Sequence, residues 1–238
     1  MTGTLLNIAT VLLGGTLGLA FGARLPERIR QTVVAGLGLF TAAIGLKLFM
    51  DTQNVIIVLA SLVLGGILGE WWQIEGGLAR LGKWLQTRFA SGTEGGSTRF
   101  VRGFLTASLV FCIGPLTILG SIQDGLSGDY QLLAIKSILD GFAAMVFAST
   151  LGVGVLFSTL VILIYQGGLS LLAQQTQALF SEAIVTELSA VGGVLLLGIA
   201  VSNLLEIKPI RVGNFLPALL IAPLLVAALT ALGFSQLP

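Results

Sequence analysis

The chain contains no histidine and a single cysteine, Cys112. A zinc site of the usual Cys/His kind, a histidine-held haem, a disulfide and a histidine general base are therefore excluded. Charge is scarce as well. Twelve basic and 11 acidic residues make up 10% of 238, where a soluble domain carries roughly 25%. A water-soluble chain of this length needs more charge to cover its surface. The net charge of +1 excludes nucleic acid as a partner. There is no phosphate-binding loop, no nucleophile–base pair and no acidic cluster with metal-ligand spacing. The expectation is a protein that is not an enzyme, with no cofactor and no metal.

What the chain has is hydrocarbon. Hydrophobic residues are 55% of it and its mean hydropathy is +1.00. Its 32 glycines show no Gly-X-Y period and suit transmembrane helices, whose backbones approach closely at small residues. The first apolar run precedes its basic residues rather than following them, so it reads as a retained transmembrane helix and not as a signal peptide.

A helix crossing about 30 Å of hydrocarbon needs roughly 20 apolar residues. Eight stretches qualify, near 3–22, 31–50, 54–72, 100–121, 132–150, 154–173, 187–206 and 212–233. Only Leu151–Gly154 separates the fifth from the sixth, and one long bent element there would reduce the count to seven. With eight spans, ten of the twelve basic residues fall on one side, from Arg24, Arg28 and Arg30 to Lys208 and Arg211. The positive-inside rule makes that side cytoplasmic and puts both termini outside. The fold class is thus all-α, a polytopic transmembrane bundle forming one integral domain over 1–238, with the lipid bilayer as its surroundings.

Between the third and fourth spans, over 75–90, Leu78, Leu81, Leu85 and Phe89 recur at helical spacing beside Arg80 and Lys83. This pattern predicts an amphipathic helix lying on the inner surface. Residues 91–97 after it read as a flexible linker. Segments 35–51 and 190–206 align without gaps, sharing Gly38/Gly193 and Ile44/Ile199 and each ending in an acid. Spans one to three (1–72) then match spans six to eight (within 154–238) around central helices at 100–150. Copies five helices apart insert oppositely, and an inverted repeat is typical of secondary transporters. The Gly14, Gly18, Gly22 series and Gly65, Gly66, Gly69 read as packing faces, for neighbouring helices or for a homo-oligomer.

Ionisable groups deep in a span are costly and invite a functional reading. Asp140 lies well inside the fifth span with Lys136 one turn earlier on the same face. They form a polar pathway, or an ion pair that merely neutralises itself. In the fourth span, Gly114-Pro115 breaks the ladder, so the carbonyls of Phe111 and Cys112 are expected to be freed, facing a ligand or simply marking a kink. Thr117 and Asp124 belong to a polar run beyond the break. Cys112 reads as a buried small residue. Asn7 and Asn203 are weaker pathway candidates, and with Gln166 and Asn214 are explained equally by interhelical hydrogen bonds.

The stretches Leu12–Gly18, Arg24–Arg30, Ala134–Ala148, Ser189–Gly193 and Asn214–Leu220 resemble the bacterial YqgA/YdfK-like family of uncharacterised inner-membrane proteins. The resemblance covers nearly the whole chain and implies a multi-pass protein of the bacterial plasma membrane. It implies no activity. The leading expectation is a small transporter or channel-like protein for an ion or small polar solute. The alternative is a structural or accessory membrane protein whose polar residues only lock helices together.

Overall fold

The computed structural model describes residues 1–22, 26–89, 96–113, 115–176 and 181–232. Among them there are helices and no strands. In chain order they are α1 (Thr2–Gly22), α2 (Glu27–Met50), α3 (Val55–Trp72), α4 (Ile74–Phe89), α5 (Gly96–Cys112), α6 (Pro115–Ser127), α7 (Gln131–Leu151), α8 (Ser158–Leu171), α9 (Ala173–Thr176), α10 (Glu182–Ile199) and α11 (Ala218–Ala231). A 3₁₀ turn, Val153–Phe157, leads into α8, a π turn, Ala200–Leu204, extends α10, and a 3₁₀ turn, Val212–Phe215, precedes α11.

Local chemistry sets several boundaries. Asn54 caps α3 by accepting from the amides of Ile56 (3.0 Å) and Ile57 (3.4 Å), as a short polar side chain does for the orphan donors of a first turn. Gln73 takes a left-handed conformation, φ 52°, so α3 stops and α4 begins within one residue. Between α7 and α8, Gly152 adopts φ 84°, a backbone that residues with a Cβ avoid. This turn separates the fifth and sixth spans, and the single bent element is not formed.

Among the described residues, seven helices are long and apolar enough to cross a membrane, and α5 with α6 forms a further pair bent by 63°. The chain divides into two compact units, residues 1–37 with 79–176 and residues 38–78 with 177–238.

In the first unit, α1 and α7 run parallel with their backbones in contact. Gly14, Gly18 and Gly22 face the carbonyls of Gly141, Met145 and Ser149 in turn, and a methyl carbon on any of the three glycines would overlap that oxygen. This glycine face is therefore covered by α7 and is not available to a second copy. α8 runs antiparallel to α1, its Gln166 meeting Thr4 near the start of α1 and Leu156, just before α8, packing on Gly15. The α5–α6 pair traverses the unit. At one end Arg99 donates to the Thr150 carbonyl near the end of α7 (2.9 and 3.2 Å). At the other, Asp124 of α6 accepts from the Gly3 amide at the start of α1 (3.2 Å). Counted as one crossing, the two segments bring the spans among the described residues to eight.

In the second unit the helices pair antiparallel. Gly45 lies against Gly193, while Gly38 lies against Leu204 and Leu205, so α2 and α10 run oppositely. Gly65 meets Ala218 and Gly69 meets Asn214, which does the same for α3 and α11. The core is built from Val58, Ala190, Val191, Ala218 and Ala222, small side chains that permit close helix approach. Glu187, 2% exposed, accepts from the Thr52 hydroxyl (2.6 Å) and the Gln53 and Asn54 amides (2.8 and 3.0 Å). Its carboxylate is spent on holding the α2–α3 turn. At the opposite end Asn214 accepts from the Glu75 amide (2.7 Å) and Glu75 from the Gly213 amide (2.7 Å), with Glu70 paired to Arg211.

The amphipathic segment is helical, and its Leu81 and Trp84 are exposed. Of the expected linker, residues 91–95 lie outside the described residues, and 96–97 already belong to α5.

Candidate functional site

One group of the polar side chains that the first unit buries is bonded together around Asp140. That residue is the tenth of α7, about 14 Å from the helix start at 1.5 Å per residue. Its position follows from the sequence: between Gln131 and its last turn, α7 is apolar except for Lys136, Ser137 and Asp140. Lys136 sits one turn earlier and forms an ion pair with Asp140 through the Lys136 Nζ and the Asp140 Oδ2. Both residues are buried, at 5% and 8% exposure. The Asn7 Nδ2 on α1 donates to the same oxygen (3.0 Å) and to the Gln166 Oε1 on α8 (3.0 Å). The Gln166 Nε2 in turn donates to the Thr4 hydroxyl (3.2 Å). Three helices are thus stitched together by one chain of hydrogen bonds.

Asn7, Gln166 and Thr4 are each 0% exposed. The Asn7 Oδ1 meets no donor, and an unmet buried oxygen costs about 1–3 kcal/mol. Towards the end of the unit that holds Met1, two more oxygens share this condition: the Asp124 Oδ1 and the Ser170 Oγ. The Asp124 Oδ2 holds the Met1 amino group at 2.9 Å, and Gly125 lies directly against the Ser170 backbone. Ser170 is one turn beyond Gln166 on α8. Towards the other end, the Ser108 Oγ on α5 is buried and unmet, one turn before Cys112.

The residues singled out in the sequence fall as follows. Asp140, Lys136 and Asn7 come together directly. Cys112, half-buried at the end of α5, lies within electrostatic reach of Lys136 and Asp140, and Tyr165 of α8 lies within reach of Cys112. Pro115 is the first residue of α6, where its missing N–H costs nothing, and Gly114 lies outside the described residues. The Phe111 carbonyl is not left free, as the proline argument expected: the Thr117 hydroxyl donates to it at 3.3 Å. The break is chemically closed at that point. Asn203 sits half-buried in the π turn of the second unit and is not part of this cluster.

Thr4 and Ser170 were not legible as members, and Gln166 only as a generic interhelical donor. The usable signal was spacing: Thr4 and Asn7 are i, i+3, and Gln166 and Ser170 are i, i+4, so each pair shares a helix face. Among the described residues no three His, Cys, Asp or Glu are grouped to hold a metal ion.

No solved structure matches the chain. It is 32% identical over 237 residues to "Uncharacterized membrane protein YdfK" of Bacillus subtilis (strain 168), covering 98% of this chain and 99% of that one. It is 35% identical over 230 residues to "Uncharacterized protein YqgA" of Escherichia coli (strain K12), covering 96% and 97%. Residues 2–227 match the model of the family described as "Protein of unknown function (DUF554)". With its apolar helices and a relative named as a membrane protein, the chain is a membrane protein and belongs to this family.

Proposed function

We propose that the chain is a small inner-membrane transporter or channel-like protein for an ion or small polar solute, and that the first unit carries its pathway. The observation that carries this reading is the buried Lys136–Asp140 pair with the Asn7 oxygen beside it unmet. Charge at mid-membrane depth is retained against an insertion cost of about 2.5–3.5 kcal/mol per group, and an unmet acceptor there suits a transient partner. The antiparallel pairing of α2 with α10, α3 with α11 and α1 with α8 has the sense that an inverted repeat of spans one to three and six to eight requires. In this arrangement Arg28, Arg80, Lys83, Lys208 and Arg211 face the cytoplasm, both termini face outward, and α4 lies along the inner surface. No enzymatic role is proposed.

One observation favours the second reading, a structural or accessory protein. The ion pair is closed and reinforced by Asn7, as a helix lock would be.

Single cysteines in a Cys112→Ala background test orientation and pathway together. A cysteine replacing Asp129 is expected to react with an impermeant thiol reagent from outside, and one replacing Gln73 only from inside. Ser170→Cys, buried near the outer end, is expected to react with a small charged reagent, whereas Ile164→Cys on the lipid-facing surface is not. External labelling at Gln73 would overturn the orientation, and an inert Ser170→Cys would favour the structural reading.

A further inference from the structure

We propose that the ion carried by the first unit is the proton, and that Lys136 and Asp140 hand it on as a reversible donor–acceptor pair. This rests on the transporter reading above and names its cargo.

The cluster is shaped for bond exchange and not for a bulky guest. Lys136, Asp140, Asn7, Gln166 and Thr4 are bonded directly to one another, and α1 touches α7 backbone to backbone beside them at Gly14 and Gly141. A solute would have to part these helices. A metal cation would find the carboxylate already neutralised by an ammonium, and an anion would meet that carboxylate beside the only buried cation of the cluster. A proton needs neither room nor a vacant charge, only continuous hydrogen bonding. The unmet oxygens are groups that bridging water would satisfy, and they lie on both sides of the pair. The Asp124 Oδ1 and Ser170 Oγ lie towards the Met1 end, the Asn7 Oδ1 beside the pair, and the Ser108 Oγ towards the other end.

The step balances. The Lys136 N–H bond breaks and an O–H bond forms on the Asp140 Oδ2, turning the ion pair into a neutral amine and a neutral acid. In a desolvated interior the charge separation given up is not strongly favoured, because burying each ion costs several kcal/mol. Asp140 then releases its proton to water on the Cys112 side, and the Lys136 amine takes a proton from water on the Asp124 side. The original pair is restored, one proton has crossed, and no electron has moved. Lys136 precedes Asp140 by one turn along α7, so its backbone lies nearer the Met1 end. Of the other titratable groups, Cys112 on α5 lies within electrostatic reach of the pair and Tyr165 on α8 within reach of Cys112, while Asp124 on α6 holds the Met1 amino group at the start of α1. The remaining members on α1 and α8 are neutral.

The test uses the full chain in vesicles of phosphatidylethanolamine and phosphatidylglycerol containing a pH-sensitive dye, with a potassium gradient and valinomycin to set the voltage. Wild type is expected to pass protons. Lys136→Arg keeps the charge pair but holds its proton about two or more pKa units more firmly, so flux is expected to fall at least roughly a hundredfold, while Asp140→Glu retains it. Melting in detergent checks that each variant folds. Should Lys136→Arg fail to fold, the double variant Lys136→Gln with Asp140→Asn takes its place, with loss of flux expected. Full proton flux in Lys136→Arg or in the double variant would overturn the relay. Sodium flux, or potassium flux in vesicles without valinomycin, in the absence of proton flux would overturn the proton assignment and leave the ion-transport reading standing. Protein that passes no ion or solute would overturn both.

Discussion

Gly18→Leu is expected to abolish the folded protein or lower its melting temperature more than any surface change. The Gly18 position faces the Met145 carbonyl across the α1–α7 contact, with Gly14 and Gly22 making equivalent contacts one turn to either side. The obstructing atoms are backbone, so no rotamer change relieves them. Overpacking a buried site typically costs about 1–3 kcal/mol, and Gly18→Ala is expected in that range. A leucine must separate two helices whose contact extends over the length of α1, and the cost is expected to exceed it. Gly36 supplies the control. It lies in α2 with nothing within 4 Å of a Cβ, and alanine there is expected to be neutral or stabilising by up to about 1 kcal/mol through helix propensity. Thermal unfolding in detergent, read by size exclusion, checks the series. A Gly18→Leu protein as stable as wild type would refute the α1–α7 interface.

The second large effect concerns the buried ion pair. Asp140→Asn leaves the Lys136 ammonium without its counter-charge, and Lys136→Gln leaves the carboxylate with Asn7 alone. Removing one partner of a buried pair costs about 3–5 kcal/mol, because the survivor stays desolvated and unpaired. Each single variant is expected to lose stability on that scale. The double variant, with both charges gone, is expected to recover most of it. The coupling from this cycle measures the pair itself. A lock and a relay both predict rescue of stability in the double variant, and only a relay predicts that its flux stays lost. Stability and flux therefore have to be read on the same variants.

The parts of this account that the sequence carried are those written in composition and local pattern. Scarce charge and spans of about 20 apolar residues sufficed for a helical membrane bundle, and the starts of α3 and α7 fall within one residue of the expected spans. Asp140 and Lys136 stood out because charge inside a span is costly, and their i, i+4 spacing already placed them on one face. The grouping of helices was not legible. Spans one, four, five and six form one unit and spans three, seven and eight with most of span two the other, and no local pattern encodes that membership. In a bilayer the lipid-facing and helix-facing sides are both apolar, so α1 gave no sign that its glycines meet α7. Gln166 illustrates the same limit. Its bond to Asn7 spans 159 positions, and one amide in an apolar helix does not name its partner. The Thr117 bond to the Phe111 carbonyl was missed for a different reason. A proline frees a carbonyl in an ideal helix, but a hydroxyl beyond the bend is free to satisfy it.

The central claim is that the first unit passes an ion or small polar solute by way of Asp140. Its most direct test is flux through the purified full chain in vesicles, measured for protons, sodium, potassium and a panel of small polar solutes, in wild type and in Asp140→Asn. The account predicts that wild type dissipates at least one imposed gradient and that Asp140→Asn, shown to be folded and inserted, falls to the level of protein-free vesicles. Wild-type protein that leaves every gradient intact, or an Asp140→Asn variant that conducts as wild type does, would contradict it.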